Sequence, residues 1–159
     1  QLSACLTLAE QWAGVSQEPA AVPCMEESVL SFLRSCEVLT SDWKQMLEQA
    51  ANAPEPENLL AYTPALDQEI RLFTMDMLYR YYLRAAYAET AFSVCVVLLY
   101  SRRLGFHTAE QRLRIWQLFV KEIEYDENNL EELEWQLETN AAFSPAAFRA
   151  YFASPGGVQ

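Results

Sequence analysis

The sequence predicts an all-α protein: a single, bundle-like helical domain of about six to eight helices. Three observations carry this. Every segment with a readable apolar pattern repeats at helical rather than strand spacing. Only 4 Gly and 7 Pro punctuate 159 residues, few for a protein built on tight turns. Finally, side chains suited to capping helices recur immediately before the apolar runs. The chain is long enough to bury a core, and 52% of it is hydrophobic.

The elements follow in order. Residues 2–12 form an amphipathic pattern, after which Pro19 and Pro23 break the chain. Residues 26–36 carry Val29, Leu30, Phe32 and Leu33. Thr40, Ser41 and Asp42 offer N-cap oxygens to a helix bearing Trp43, Met46 and Leu47. Pro54 and Pro56 mark a linker, so the domain reads as N-terminal helices in 1–52, a linker over 53–63 and core helices in 64–153.

Thr63 followed by Pro64 restarts the helix, with proline where its missing N–H costs nothing. Leu66, Ile70, Phe73, Met77 and Tyr81 define one face, while Leu72, Met75, Tyr79 and Tyr82 occupy others. This predicts a central helix buried on several sides. A bend is expected over 85–88. A second long helix over 89–104 then ends at Gly105, a C-cap residue. The longest apolar run, 91–100, is too short to span a bilayer and reads as a buried core helix.

Thr108 and Gln111 match a capping box ahead of Leu113, Ile115, Trp116, Leu118, Phe119 and Val120. Asp126 re-caps a helix through Leu137, with Asn140 closing it. Ser144 and Pro145 open a short last helix bearing Phe148, Tyr151 and Phe152. Trp43, Trp116 and Trp135 are expected in the core.

Charge limits function. The net charge of −11 argues against a nucleic-acid partner and against an anionic membrane surface. Four cysteines without CxxC spacing and a single His, His107, give no metal-site pattern; they suit a reducing, cytoplasmic setting. Residues 120–138 hold eight acids and one lysine, a net −7. Arg71, Arg80, Arg84, Arg102, Arg103, Arg112 and Arg114 make a basic middle that is expected to pair with this acidic stretch.

Within these segments lies one candidate surface. Arg80 and Arg84 sit one turn apart beside Tyr79, placed to bind a carboxylate or to pair with Glu122 or Glu124. Glu122, Glu124 and Tyr125 combine carboxylates with an aromatic ring, a set suited to an ammonium group. Asn128 and Asn129 read as residues satisfying backbone groups at a helix junction. Glu131, Glu132, Glu134 and Glu138 read as a solvated face. No Ser-His-Asp set, P-loop or GxGxxG occurs, and no catalytic residue can be named.

Several segments together resemble the C-terminal part of the flagellin lysine-N-methylase family. Residues 29–39, VLSFLRSCEVL, with Asp42, Trp43, Leu47 and Glu48, look like its paired helices. NLLAY at 58–62 and LYRYYLRAAY at 78–87 look like its tyrosine- and arginine-rich helix. KEIEYDENNLE at 121–131 looks like its R-E-I-E-Y-S-x-x-N-L-E stretch, with Lys121 for Arg and Asp126 for Ser. The likeness spans about residues 25–145. It implies a bacterial, cytoplasmic enzyme that transfers methyl groups from S-adenosylmethionine to flagellin lysines. It also implies an iron–sulfur cluster in a cysteine-rich N-terminal region lying outside these residues, so that this chain would be a C-terminal portion that is not catalytic alone. It assigns no catalytic residue here. A non-enzymatic helical interaction module and the ligand-binding domain of a regulator remain as other readings.

Overall fold

A computed structural model of the chain describes residues 25–54, 63–80 and 86–153, with the side chains of 77–80, 86, 87 and 153 excepted. Seven α-helices occupy these residues: α1 (Met25–Ser35), α2 (Ser41–Asn52), α3 (Pro64–Arg80), α4 (Ala86–Leu104), α5 (Ala109–Phe119), α6 (Glu127–Thr139) and α7 (Pro145–Ala153). A π-helical turn, Val120–Glu124, follows α5, and a short 3₁₀ turn, Ala141–Phe143, precedes α7. The protein is all-α, as its apolar spacing predicts. The first expected helix, over 2–12, and most of the linker lie outside the described residues.

Local chemistry explains the helix starts. The Thr40 hydroxyl accepts the Trp43 N–H at 3.3 Å, and the Thr63 hydroxyl accepts the Leu66 N–H at 3.1 Å. Thr108 and Gln111 form the full capping box. Asp126 caps α6 through the Asn129 N–H at 2.9 Å, and Ser144 caps α7 through the Ala147 N–H at 3.3 Å. Asn140 ends α6, and its side chain accepts the Ala142 N–H to open the 3₁₀ turn. At the end of α4, Gly105 adopts a left-handed φ of 65°. The Phe106 N–H reaches the Ser101 carbonyl at 2.8 Å and the Gly105 N–H the Arg102 carbonyl at 3.4 Å, the paired bonds of a Schellman motif.

The central helix is α4, not α3. Every residue from Ala91 to Ser101 is buried, and α4 packs against each of the other α-helices. Its apolar residues run around the whole helix, which leaves no solvent face. Two hydroxyls in this run turn back on their own helix: Ser93 donates to the Thr90 carbonyl at 2.9 Å and Ser101 to the Val97 carbonyl at 2.6 Å. The helix begins at Ala86, inside the stretch where a bend is expected.

By contrast, α3 buries Leu66, Ile70, Phe73 and Thr74 and leaves Leu72 and Met75 62% and 67% exposed. The buried residues are spaced four, three and one apart and form a single helical stripe. Over the described side chains, 64–76, the expectation of burial on several sides is therefore corrected, while Met77, Tyr79, Tyr81 and Tyr82 lie outside them. The expectation for Trp135 is corrected too: it is 56% exposed, whereas Trp43 and Trp116 are buried. Trp43 stacks on Tyr100 with centroids 5.4 Å apart, and Trp116 on Phe73 at 4.6 Å. Phe92 of α4 meets Phe32 and Phe143 edge-on.

Candidate functional site

The acidic stretch contains the most organised polar site. Helix α5 runs directly into the π turn, which ends where the Tyr125 N–H meets the Val120 carbonyl at 3.2 Å. Only Tyr125 and Asp126 separate that turn from α6. The reversal brings Glu122 and Asn129 together against residues 37–40, the connection between α1 and α2.

Glu122 is fully buried. One carboxylate oxygen accepts the Leu39 N–H at 2.7 Å, and the other accepts the Thr40 hydroxyl. Because the Thr40 oxygen also caps α2, a continuous chain runs from the Trp43 N–H through Thr40 to Glu122. The carboxylate thus sits at the N-terminus of α2, where free N–H groups and the helix dipole favour negative charge. Asn129 is 3% exposed. Its amide nitrogen donates to the carbonyls of Glu37 and Glu122, and its oxygen accepts the Glu37 N–H, all at 2.8 Å. Together Glu122 and Asn129 clasp the α1–α2 connection to the α5–α6 reversal.

The predicted surface residues divide. Glu122 is an interior carboxylate with both oxygens engaged. Glu124 is half-buried, and Tyr125 is 77% exposed. Glu122 and Tyr125 therefore face different environments rather than lining one ammonium pocket. Tyr79 and Arg80 end α3 with side chains outside the described set, and Arg84 lies outside the described residues. Asn129 satisfies backbone groups at a junction, as its residue type suggests, and Asn128 is exposed. His107 and Glu131, Glu134 and Glu138 are exposed, while Glu132 is half-buried.

Four arginines of the basic middle pair elsewhere than expected, while the side chains of Arg80 and Arg84 lie outside the described set. Arg102 and Arg103 of α4 converge on Glu26 of α1, which also accepts the Tyr151 hydroxyl at 3.1 Å. Arg112 of α5 grips Glu69 of α3 through two nitrogens, at 2.5 and 2.9 Å. Arg114 pairs with Asp42. These arginines join α4 and α5 to the preceding helices, not to the acidic stretch. Glu26 and Glu69 carry no sequence signal beyond sitting on helices with buried faces. Glu122 does carry one: it stands three residues after Phe119 and seven after Ile115, on the apolar face of its helix.

A second buried carboxylate behaves differently. Glu89, in the first turn of α4, is 2% exposed, and its Oε2 meets no hydrogen-bond donor among the described residues. Burial, followed by the negative charges of Glu134 and Glu138, pushes its carboxyl up to about 7.

Among the described residues no three His, Cys, Asp or Glu side chains converge as a metal site requires, and no helix is long and apolar enough to cross a membrane. Cys36 and Cys95 are buried free thiols. The fold and its clasp thus define an all-α protein whose best-organised polar site ties helices together. No family model matches the chain, and comparison with curated proteins and with solved structures returns no match either.

Proposed function

We propose that the chain is the helical C-terminal part of a flagellin lysine-N-methylase-like protein, serving as scaffold and substrate-docking surface rather than as the catalytic centre. The observation that carries this reading is the coincidence of residues 121–131, the stretch most similar to that family, with the clasp. In a scaffold, a motif of this kind acts by locking helices, and Glu122 and Asn129 do that here. S-adenosylmethionine as methyl donor, flagellin as substrate, an iron–sulfur cluster in an N-terminal region and a cytoplasmic location belong to the same proposal. Methylation requires only the full-length gene product, S-adenosylmethionine and flagellin from the same cell. Mass spectrometry should then find methyl-lysine on flagellin; an intact, cluster-loaded protein that transfers none overturns the proposal.

A second reading, a non-enzymatic interaction module, is favoured by the exposed rings of Tyr125 and Trp135 beside exposed glutamates. Exposed aromatics among charges suit a protein contact. Flagellin binding without methyl transfer would select it.

A further inference from the structure

Helix α6 presents solvent with a face of one sign. Glu127, Glu131, Glu134 and Glu138 are all exposed and follow one another at spacings of four, three and four. At ~100° per residue they form one stripe about 60° wide and about 16 Å long, clear of the buried Leu133. Side chains three and four apart are neighbours, and like charges at those spacings oppose the helix that carries them. Glu138 stands in the last turn, where the helix dipole favours a cation, yet α6 has no basic residue there. No lysine, arginine or histidine occurs between Lys121 and Arg149. Among the described residues no cation pairs with any of the four. The exposed Asp42, by contrast, holds Arg114.

Two further observations separate this stripe from a merely solvated surface. Trp135 lies along its edge, one turn after Glu131 and one turn before Glu138, and is 56% exposed. Its ring stacks on no other among the described residues. An indole flanked by carboxylates attracts a guanidinium or an ammonium through its face and through charge together. On α4, against which α6 packs, Glu89 is 2% exposed with an oxygen that meets no donor among the described residues. Its carboxyl senses Glu134 and Glu138, so the field of the stripe reaches the interior.

We propose that the outer face of α6 docks a basic amphipathic helix of a partner protein, with arginines or lysines at the same four-three-four spacing and one of them stacked on Trp135. The inference rests on the docking role proposed above but not on methyl transfer. Charge complementarity selects the partner: an uncompensated row of carboxylates fits a row of cations, and the indole supplies the aromatic anchor. A second copy of this chain does not fit, because Arg71, Arg102, Arg103, Arg112 and Arg114 are already engaged in ion pairs.

Fluorescence anisotropy of a labelled alanine-rich helical peptide, with arginines at four-three-four spacing, tests this at physiological ionic strength. Saturable one-site binding is expected, with amide NMR shifts centred on α6. Trp135→Ser, and Glu131→Gln combined with Glu138→Gln, should each weaken it about tenfold without lowering the melting temperature. Removing the same charge at exposed positions of α2 and α5, by Glu48→Gln with Glu110→Gln, should leave it within about twofold. A peptide of identical composition whose arginines ring the helix should bind at least about tenfold more weakly. No saturable binding overturns the proposal, and so does full binding by Trp135→Ser. Equal binding of the two peptides, or equal weakening by the two glutamine pairs, also overturns it, as diffuse attraction to a chain of charge −11. Absent peptide binding with methyl transfer intact refutes this docking face alone; absent methyl transfer with peptide binding intact refutes the enzyme reading alone.

Discussion

Glu122 and Glu89 are both glutamates buried against the same core, and they are held in opposite ways. Glu122 meets a backbone N–H and a hydroxyl at the start of a helix. Glu89 has an oxygen without a donor among the described residues and senses two further carboxylates on α6. The difference teaches that burial alone does not decide what a carboxylate contributes; its donors and neighbouring charges do. Glu122 is a clasp with a donor on each oxygen, whereas Glu89 is accommodated best when protonated.

Removing the clasp should have the largest effect. Glu122→Ala leaves the Leu39 N–H and the Thr40 hydroxyl without their acceptor and opens a cavity, so denaturant unfolding should show a loss of about 4 kcal/mol. A loss below about 1 kcal/mol would mean that water replaces the carboxylate and that the clasp is incidental.

Glu89 sharpens the contrast through pH. Its folded-state carboxyl, raised to about 7 from an ordinary 4.5, binds protons more tightly in the native than in the unfolded chain. Its favourable contribution is therefore present at low pH and lost as pH rises from 4.5 through 7, by about 3 kcal/mol in all. Glu89→Gln should remove this decline, raising stability at pH 8 while changing little at pH 4. An unchanged pH profile in the variant would show that Glu89 is already ionised in the fold.

The smallest effect is expected on the outer side of the same acidic helix. Trp135→Ser removes a ring that is 56% exposed and should alter stability by less than about 0.5 kcal/mol. A larger loss would place that ring in a packing role; unchanged stability with lost binding to a protein partner would mark it as contact surface.

Much of the fold is legible because its signals are local. Thr40, Thr63, Thr108 and Asp126 cap the helices they precede, since each bond spans three residues and needs nothing from elsewhere. Gly105 ends α4 through its own left-handed backbone. The site was legible only in part. The helical wheel puts Glu122 on a buried face, and its residue type makes Asn129 a junction residue. Neither reveals that the partners are residues 37–40, more than eighty positions away.

Tertiary structure alone chose between α3 and α4 as the central helix, because both are rich in apolar residues and only packing reveals which has neighbours on every side. It likewise sent Arg102, Arg103 and Arg112 to Glu26 and Glu69 instead of to the denser acidic stretch. Charge composition counts ions without locating them, and an ion pair between helices forms only where the packing brings a fork and a carboxylate within reach. The all-α class, the helix starts and their stops follow from bonds a few residues long. The clasp and the central helix follow from contacts among segments far apart in the chain.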